Sequence, residues 1–104
     1  MDIQLRRGLL DYCVLAVLKE ADSYGYMIIK KMTPILEISE STLYPILKRL
    51  ETNSFVSSYS VEHNGRLRKY YKITTKGIQK LISFNDEWSE IEKVYYYIKG
   101  ANEG

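Results

Sequence analysis

The stretch Ser39-Glu40-Ser41-Thr42-Leu43-Tyr44-Pro45-Ile46-Leu47-Lys48-Arg49-Leu50 governs the reading of the whole chain. Leu43, Ile46, Leu47 and Leu50 recur at i, i+3, i+4 and i+7, the spacing of one apolar helical face. At about 100° per residue, Ser41, Pro45, Lys48 and Thr52 fall on the opposite face. Thr42 and Arg49 flank that face on one side and Tyr44 on the other. An ordinary amphipathic surface helix has the same pattern. A leucine-rich back with a small, hydroxylated, cationic front also suits the major groove of a duplex, because small residues allow close approach and hydroxyls and cations reach phosphates or bases. Pro45 lacks an N–H and belongs in the first turn of a helix. Either the helix begins near Thr42 or Leu43, or a first turn capped by Ser39 is distorted.

The flanking segments bear on that choice of function. A chain of 104 residues forms one modest core. Ten tyrosines are an excess for this length, and each can bury a ring while offering a hydroxyl to a phosphate or to water. The net charge of +2 says little about a polyanionic partner, but its distribution says more. Asn64–Lys72 carries Arg66, Arg68, Lys69 and Lys72 with no acid, a local basic patch on an otherwise balanced chain. Cys13 is the single cysteine, so no intrachain disulfide forms, and its apolar surroundings predict a buried thiol. No signal peptide or membrane-spanning run is visible, which fits a reducing cytoplasm.

Upstream, Leu9–Leu18 reads as a first helix, its stripe of Leu10, Val14, Val17 and Leu18 widened by Leu9, Cys13 and Leu15. Arg6 and Arg7 precede it, as solubilising charge or as anion ligands. Ser23 is predicted to cap a second helix from about Tyr24 to Met32, with Met27, Ile28 and the stem of Lys31 toward the core and Gly25 allowing a close approach. Thr33-Pro34 ends it. Two short helices joined tightly, the second with a groove-facing surface, make a helix-turn-helix pattern.

Downstream the apolar period changes to two. Phe55, Tyr59 and Val61 alternate with Ser58 and Ser60; Leu67, Tyr71 and Ile73 alternate with Arg68, Tyr70 and Lys72. Asn64-Gly65 between them is a hairpin signal, because a type I′ turn needs positive φ at both central residues. A basic hairpin beside a helix-turn-helix is a wing. Its cations either meet phosphates or protect a solvated edge. The lone His63 has no metal-ligand partners at suitable spacing. After Thr74, with Thr75 the predicted cap, a last helix runs to about Ile98. Leu81, Phe84, Trp88, Ile91, Tyr95 and Ile98 form a heptad seam on it. That seam either closes on a second copy, giving a twofold dimer, or folds back on the first helix, and both are expected to contribute. Gly100–Gly104 is expected to fray.

These motifs resemble the PadR family of transcriptional regulators. The resemblance rests on Leu9–Leu18, Tyr24-Gly25-Tyr26, the block Ser41-Thr42-Leu43-Tyr44-Pro45-Ile46-Leu47-Lys48-Arg49-Leu50-Glu51 and the block Gly65-Arg66-Leu67-Arg68-Lys69-Tyr70-Tyr71-Lys72-Ile73-Thr74. It covers nearly the whole chain and is similar to the compact subfamily with one C-terminal helix. It implies a homodimeric winged helix-turn-helix repressor on a roughly palindromic operator, with Ser41, Thr42, Tyr44 and Lys48 in the reader helix and Arg66, Arg68 and Lys69 in the wing. It also implies that Trp88 faces its twofold mate across an apolar pore where a flat aromatic effector can stack. Tyr24 stands where many relatives carry histidine.

The expected fold is therefore mainly α with a β-hairpin: a winged helix-turn-helix over residues 1–74 and a dimerisation helix with its tail over 75–104. The expected function is DNA-binding transcriptional regulation, with a winged-helix protein-interaction module lacking DNA as the alternative. No cofactor is expected. Nor is an enzyme, since no acid/base pair, histidine-activated nucleophile or glycine-rich phosphate loop is present.

Overall fold

The computed structural model describes residues 1–104. The elements follow in the order α1 (Ile3–Glu20), β1 (Ser23–Tyr24), α2 (Gly25–Met32), α3 (Glu40–Thr52), β2 (Val56–His63), β3 (Arg66–Ile73) and α4 (Thr75–Glu103). This is the predicted mainly helical winged helix-turn-helix with a long C-terminal helix. The apolar stripe of α3 is buried along its whole length through Leu43, Ile46, Leu47 and Leu50. Those four pack with Leu10, Val14, Leu15 and Leu18 of α1 and with Ile28 and Met32 of α2. Burial of a Leu or Ile contributes about 1.5–3 kcal/mol. The four α3 residues therefore hold the back of that helix with roughly 6–12 kcal/mol before entropy, which fixes the face it presents outward.

Several local readings are corrected. Asp2 accepts from the Leu5 N–H at 3.1 Å, so α1 starts at Ile3 instead of Leu9. Arg6 and Arg7 therefore lie inside α1, not ahead of it. Cys13 is half-buried, and desolvation pushes its thiol up. Ser23 does not cap α2. It lies in β1, where Ser23 pairs with Tyr71 and Tyr24 with Tyr70, and β1 completes a three-stranded antiparallel sheet of order β1-β3-β2. Lys31 is exposed and reaches toward Glu20 at 3.6 Å, while Met32 fills the core position beside it.

α3 begins at Glu40 with Pro45 inside it, so the proline does not delay its start. The hydrogen bond that Pro45 cannot give is lost at Ser41, which is exposed, so solvent can satisfy that carbonyl. Ser39 sits at the cap position without a side-chain-to-backbone bond. Its hydroxyl meets those of Ser41 at 3.0 Å and Thr42 at 3.1 Å. The helix ends with Ser54 at φ 65, Ser54 N–H donating to Glu51 and Phe55 N–H to Leu50, a left-handed C-terminal cap made without glycine.

The hairpin turns through Asn64 at φ 52 and Gly65 at φ 79, the positive pair that its sequence predicts. Its inward face is Val56 and Ser58 opposite Ile73 and Tyr71. Tyr59 and Val61, the apolar members of the predicted alternation, are exposed on the other face. Tyr59 finds cover there by stacking on Tyr70 at 5.7 Å and donating to Asp22 at 2.6 Å, which raises its pKa.

α4 is capped by Thr74, not Thr75: the Thr74 hydroxyl accepts from the Gly77 N–H at 3.0 Å. The same hydroxyl donates to the Ser54 carbonyl at 2.6 Å, the Thr74 N–H donates to Phe55 at 3.1 Å, and Lys76 reaches the Asn53 carbonyl at 2.9 Å. One corner thus ties the end of α3 to the start of α4. α4 is helical through Glu103, including the segment expected to fray. Its 29 residues span about 43 Å. The chain measures 63 × 26 × 21 Å, so α4 extends well past the body.

Candidate DNA-binding surface

With the back of α3 in the core, its outward face consists of Ser41, Thr42, Pro45 and Lys48, all exposed. Tyr44 stands to one side. Its ring lies directly over Gly25, where a Cβ would meet the hydroxyl and the ring carbons. Arg49 stands to the other side, held by Asp11 of α1 at 2.5 Å.

The wing meets α3 on the Tyr44 side. Tyr44, Arg68 and Lys69 line one cleft of about 450 Å³ together with Tyr24, Gly25 and Tyr26. The Arg68 guanidinium lies over the Tyr24 ring, 4.1 Å from its centroid, a cation–π contact that helps hold the cation in place. Tyr24 in turn meets Tyr70 edge to face at 5.4 Å. Tyr24 is thus the platform under Arg68, a role that sequence spacing could not reveal. Lys69 sits 3.9 Å from Glu51, so the basic patch is not wholly unneutralised. Arg66, Arg68 and Lys72 form no ion pair. Arg66 lies apart from the Tyr44 cleft, at the hairpin tip beside His63, Asn64 and Leu67. Of the predicted reader and wing residues, the structure brings Tyr44, Arg68 and Lys69 together in one cleft, while Thr42 lines the opposite side of α3 and Arg66 stands at the hairpin tip.

The seam of α4 divides in two. Leu81 and Phe84 are half-buried near α1, and Phe84 packs on Tyr12 at 4.6 Å. Tyr12 donates to Glu87 at 2.7 Å. Burial pushes its pKa up to about 12, with help from that hydrogen bond and from the charges of Glu87 and Asp11. Lys80 lies over the Tyr12 ring at 5.1 Å. Trp88, 44% exposed, follows Phe84 at 6.1 Å and donates to Glu92 at 2.8 Å. Beyond it, Ile91, Tyr95 and Ile98 are uncovered within one chain and, with Val94, line an apolar trough of about 640 Å³. Folding back on α1 thus accounts for the first part of the seam only.

The family model for PadR-like transcriptional regulators matches residues 14–83, from the middle of α1 into α4. A transcriptional regulator from Clostridium thermocellum superposes with a TM-score of 0.83 at 36% identity, over 91% of this chain and 94% of that one. A PadR family transcriptional regulator from Eggerthella lenta gives 0.83 at 31% identity, over 92% and 86%. Bacillus subtilis PadR, solved in complex with operator DNA, gives 0.69 at 25% identity, over 73% of this chain and 46% of that longer one. The chain is a winged-helix transcriptional regulator, and it belongs to the PadR-like family. No helix is long and apolar enough to cross a membrane.

Proposed function

We propose that this chain is a sequence-specific DNA-binding regulator that acts as a homodimeric repressor. The observation that carries the reading is α3 itself: its apolar side is wholly inside the core, and Ser41, Thr42, Pro45 and Lys48 on its outer side offer small, hydroxylated and cationic groups beside a basic hairpin. Ser41, Thr42 and Lys48 enter the major groove, Tyr44 gives its hydroxyl to a phosphate, and Arg66, Arg68 and Lys69 follow the backbone. The operator solved with the Bacillus subtilis relative supports the same class of partner here.

In this reading residues 1–74 read the DNA and residues 75–104 join two copies. The uncovered seam of Trp88, Ile91, Tyr95 and Ile98 supports a twofold pairing, which sets two reader helices about 34 Å apart on one face of a roughly palindromic duplex. The reading includes a flat hydrophobic effector that stacks at this seam beside Trp88. It must bind two dimer geometries with different affinity in order to change DNA binding. A gel shift with the DNA upstream of the protein's own gene tests the reading, with Ser41→Ala and Lys48→Ala as reader variants. Specific binding that survives both variants unchanged sinks the reader assignment.

A further inference from the structure

α3 is flanked by two clefts, not one. Opposite the Tyr44 cleft, α1 and α3 enclose a second of about 430 Å³, lined by Arg6, Arg7 and Arg49, with Thr42 and with Leu10 and Ile46 among its apolar residues. No carboxylate lines it. Arg6 is half-buried and Arg7 exposed, and neither forms an ion pair; only Arg49 is held, by Asp11. Of the two acids nearest in the sequence, Asp2 is engaged by the Leu5 N–H and Asp11 by Arg49.

A helix about 10–12 Å across fills a major groove about 12 Å wide, so a phosphate wall passes on each side of it. On α3 those two sides are the Tyr44 side and the Thr42–Arg49 side. The wing supplies cations to the first. Nothing in the hairpin lines the second, yet three guanidiniums do. We propose that Arg6 and Arg7 of α1, with Arg49 of α3, form a second phosphate-binding site that grips the DNA strand opposite the one followed by the wing. The inference rests on the DNA-binding reading above and extends it to a side of α3 that the wing does not reach. Two unpaired guanidiniums are suited to phosphate oxygens, which they can bind through two parallel N–H donors.

The test is DNA affinity against salt for the full-length protein on a defined duplex of about thirty base pairs, comparing Arg6→Ala/Arg7→Ala with wild type and with the wing variant Arg66→Ala/Arg68→Ala. Each phosphate contact contributes about 0.9 to the log–log salt slope, so two arginines in each of two subunits remove up to roughly 3.6 from it. Arg6→Lys/Arg7→Lys, which keeps the charge, should retain most of the slope. Ethylation interference should show the α1 and wing variants losing contacts on opposite strands. A folded Arg6→Ala/Arg7→Ala protein with unchanged slope overturns the second site and leaves the DNA-binding reading standing. Loss of contacts on the wing's own strand overturns it as well. A wild type that binds no duplex removes both.

Discussion

Gly77→Ala and Gly25→Ala add the same methyl group at the starts of two helices, and the structure assigns them opposite outcomes. At Gly77, buried in the first turn of α4, the new carbon would fall on the Phe55 carbonyl oxygen and within 2.7 Å of Ile73 Cγ1. That carbonyl cannot retreat, because it accepts the Thr74 N–H at 3.1 Å, and Phe55 itself is tied to Leu50 by the α3 cap. Overpacking against a fixed neighbour costs about 1–3 kcal/mol. Displacing the helix start endangers the Thr74–Gly77 cap, at about 1 kcal/mol more. Alanine's helix propensity returns about 1 kcal/mol. The net loss is about 1–3 kcal/mol, or a fall of roughly 4–24 °C in melting temperature for a domain of this size. At Gly25 the obstacle is the hydroxyl end of Tyr44, a half-exposed side chain that can swing outward. Gly25→Ala should therefore melt within about 1 kcal/mol of wild type, while Tyr44 loses its seat between α2 and the wing. Circular dichroism melts at equal protein concentration provide the comparison. If Gly77→Ala melts within about 3 °C of wild type, or if Gly25→Ala is the more damaging of the two, the packing argument is wrong.

Further outcomes follow from the same contacts. Between pH 10, the ordinary tyrosine value, and about 12, the folded chain holds the Tyr12 proton that the unfolded chain releases. Stability should therefore be full below pH 10 and fall as pH rises through that window, and Tyr12→Phe should flatten the fall in denaturant titrations followed across it. Asp11→Asn frees Arg49 from a partly exposed ion pair and should cost no more than about 1 kcal/mol, read from urea midpoints. Ile91→Asp with Tyr95→Asp should convert a dimer to monomer in sedimentation experiments at micromolar concentration while the melting of residues 1–74 changes little; a wild type that is already monomeric there rejects the twofold pairing. Trp88 emission should shift to the blue on dimerisation and back on dilution, and flat aromatic compounds should quench it.

Features with a repeating signature were legible in the sequence. The i, i+3, i+4, i+7 spacing on α3, the Asn64-Gly65 turn and the heptads of α4 each involve several residues that agree, so α3, the hairpin and the long helix fall where expected. Features resting on one or two residues were not. β1 has only Ser23 and Tyr24, too short for any period, and exists because β3 offers it a partner far along the chain. Thr74 and Thr75 are equally good caps on paper; what selects Thr74 is the Ser54 carbonyl it also reaches. In β2 the apolar residues pointed to the wrong face, because the tyrosines of β1, β2 and β3 cover one another outside the core. At the candidate site, Ser41, Thr42, Tyr44 and Lys48 could be ordered around a helix in advance. The Lys69–Glu51 pair, the Tyr24 platform and the arginine cleft could not, since each joins segments that only the folded chain brings together.

The outer turns of α4 have no interior of their own. From Trp88 onward the helix carries Ile91, Val94, Tyr95, Tyr96, Tyr97 and Ile98, all exposed in a lone chain. A helical segment of that length is marginal in water when nothing packs on it. Under the twofold pairing proposed above, its order is reinforced by encounter: the share of tails held firmly wound rises with how crowded the chains are, and the abundance of the protein becomes part of its own architecture.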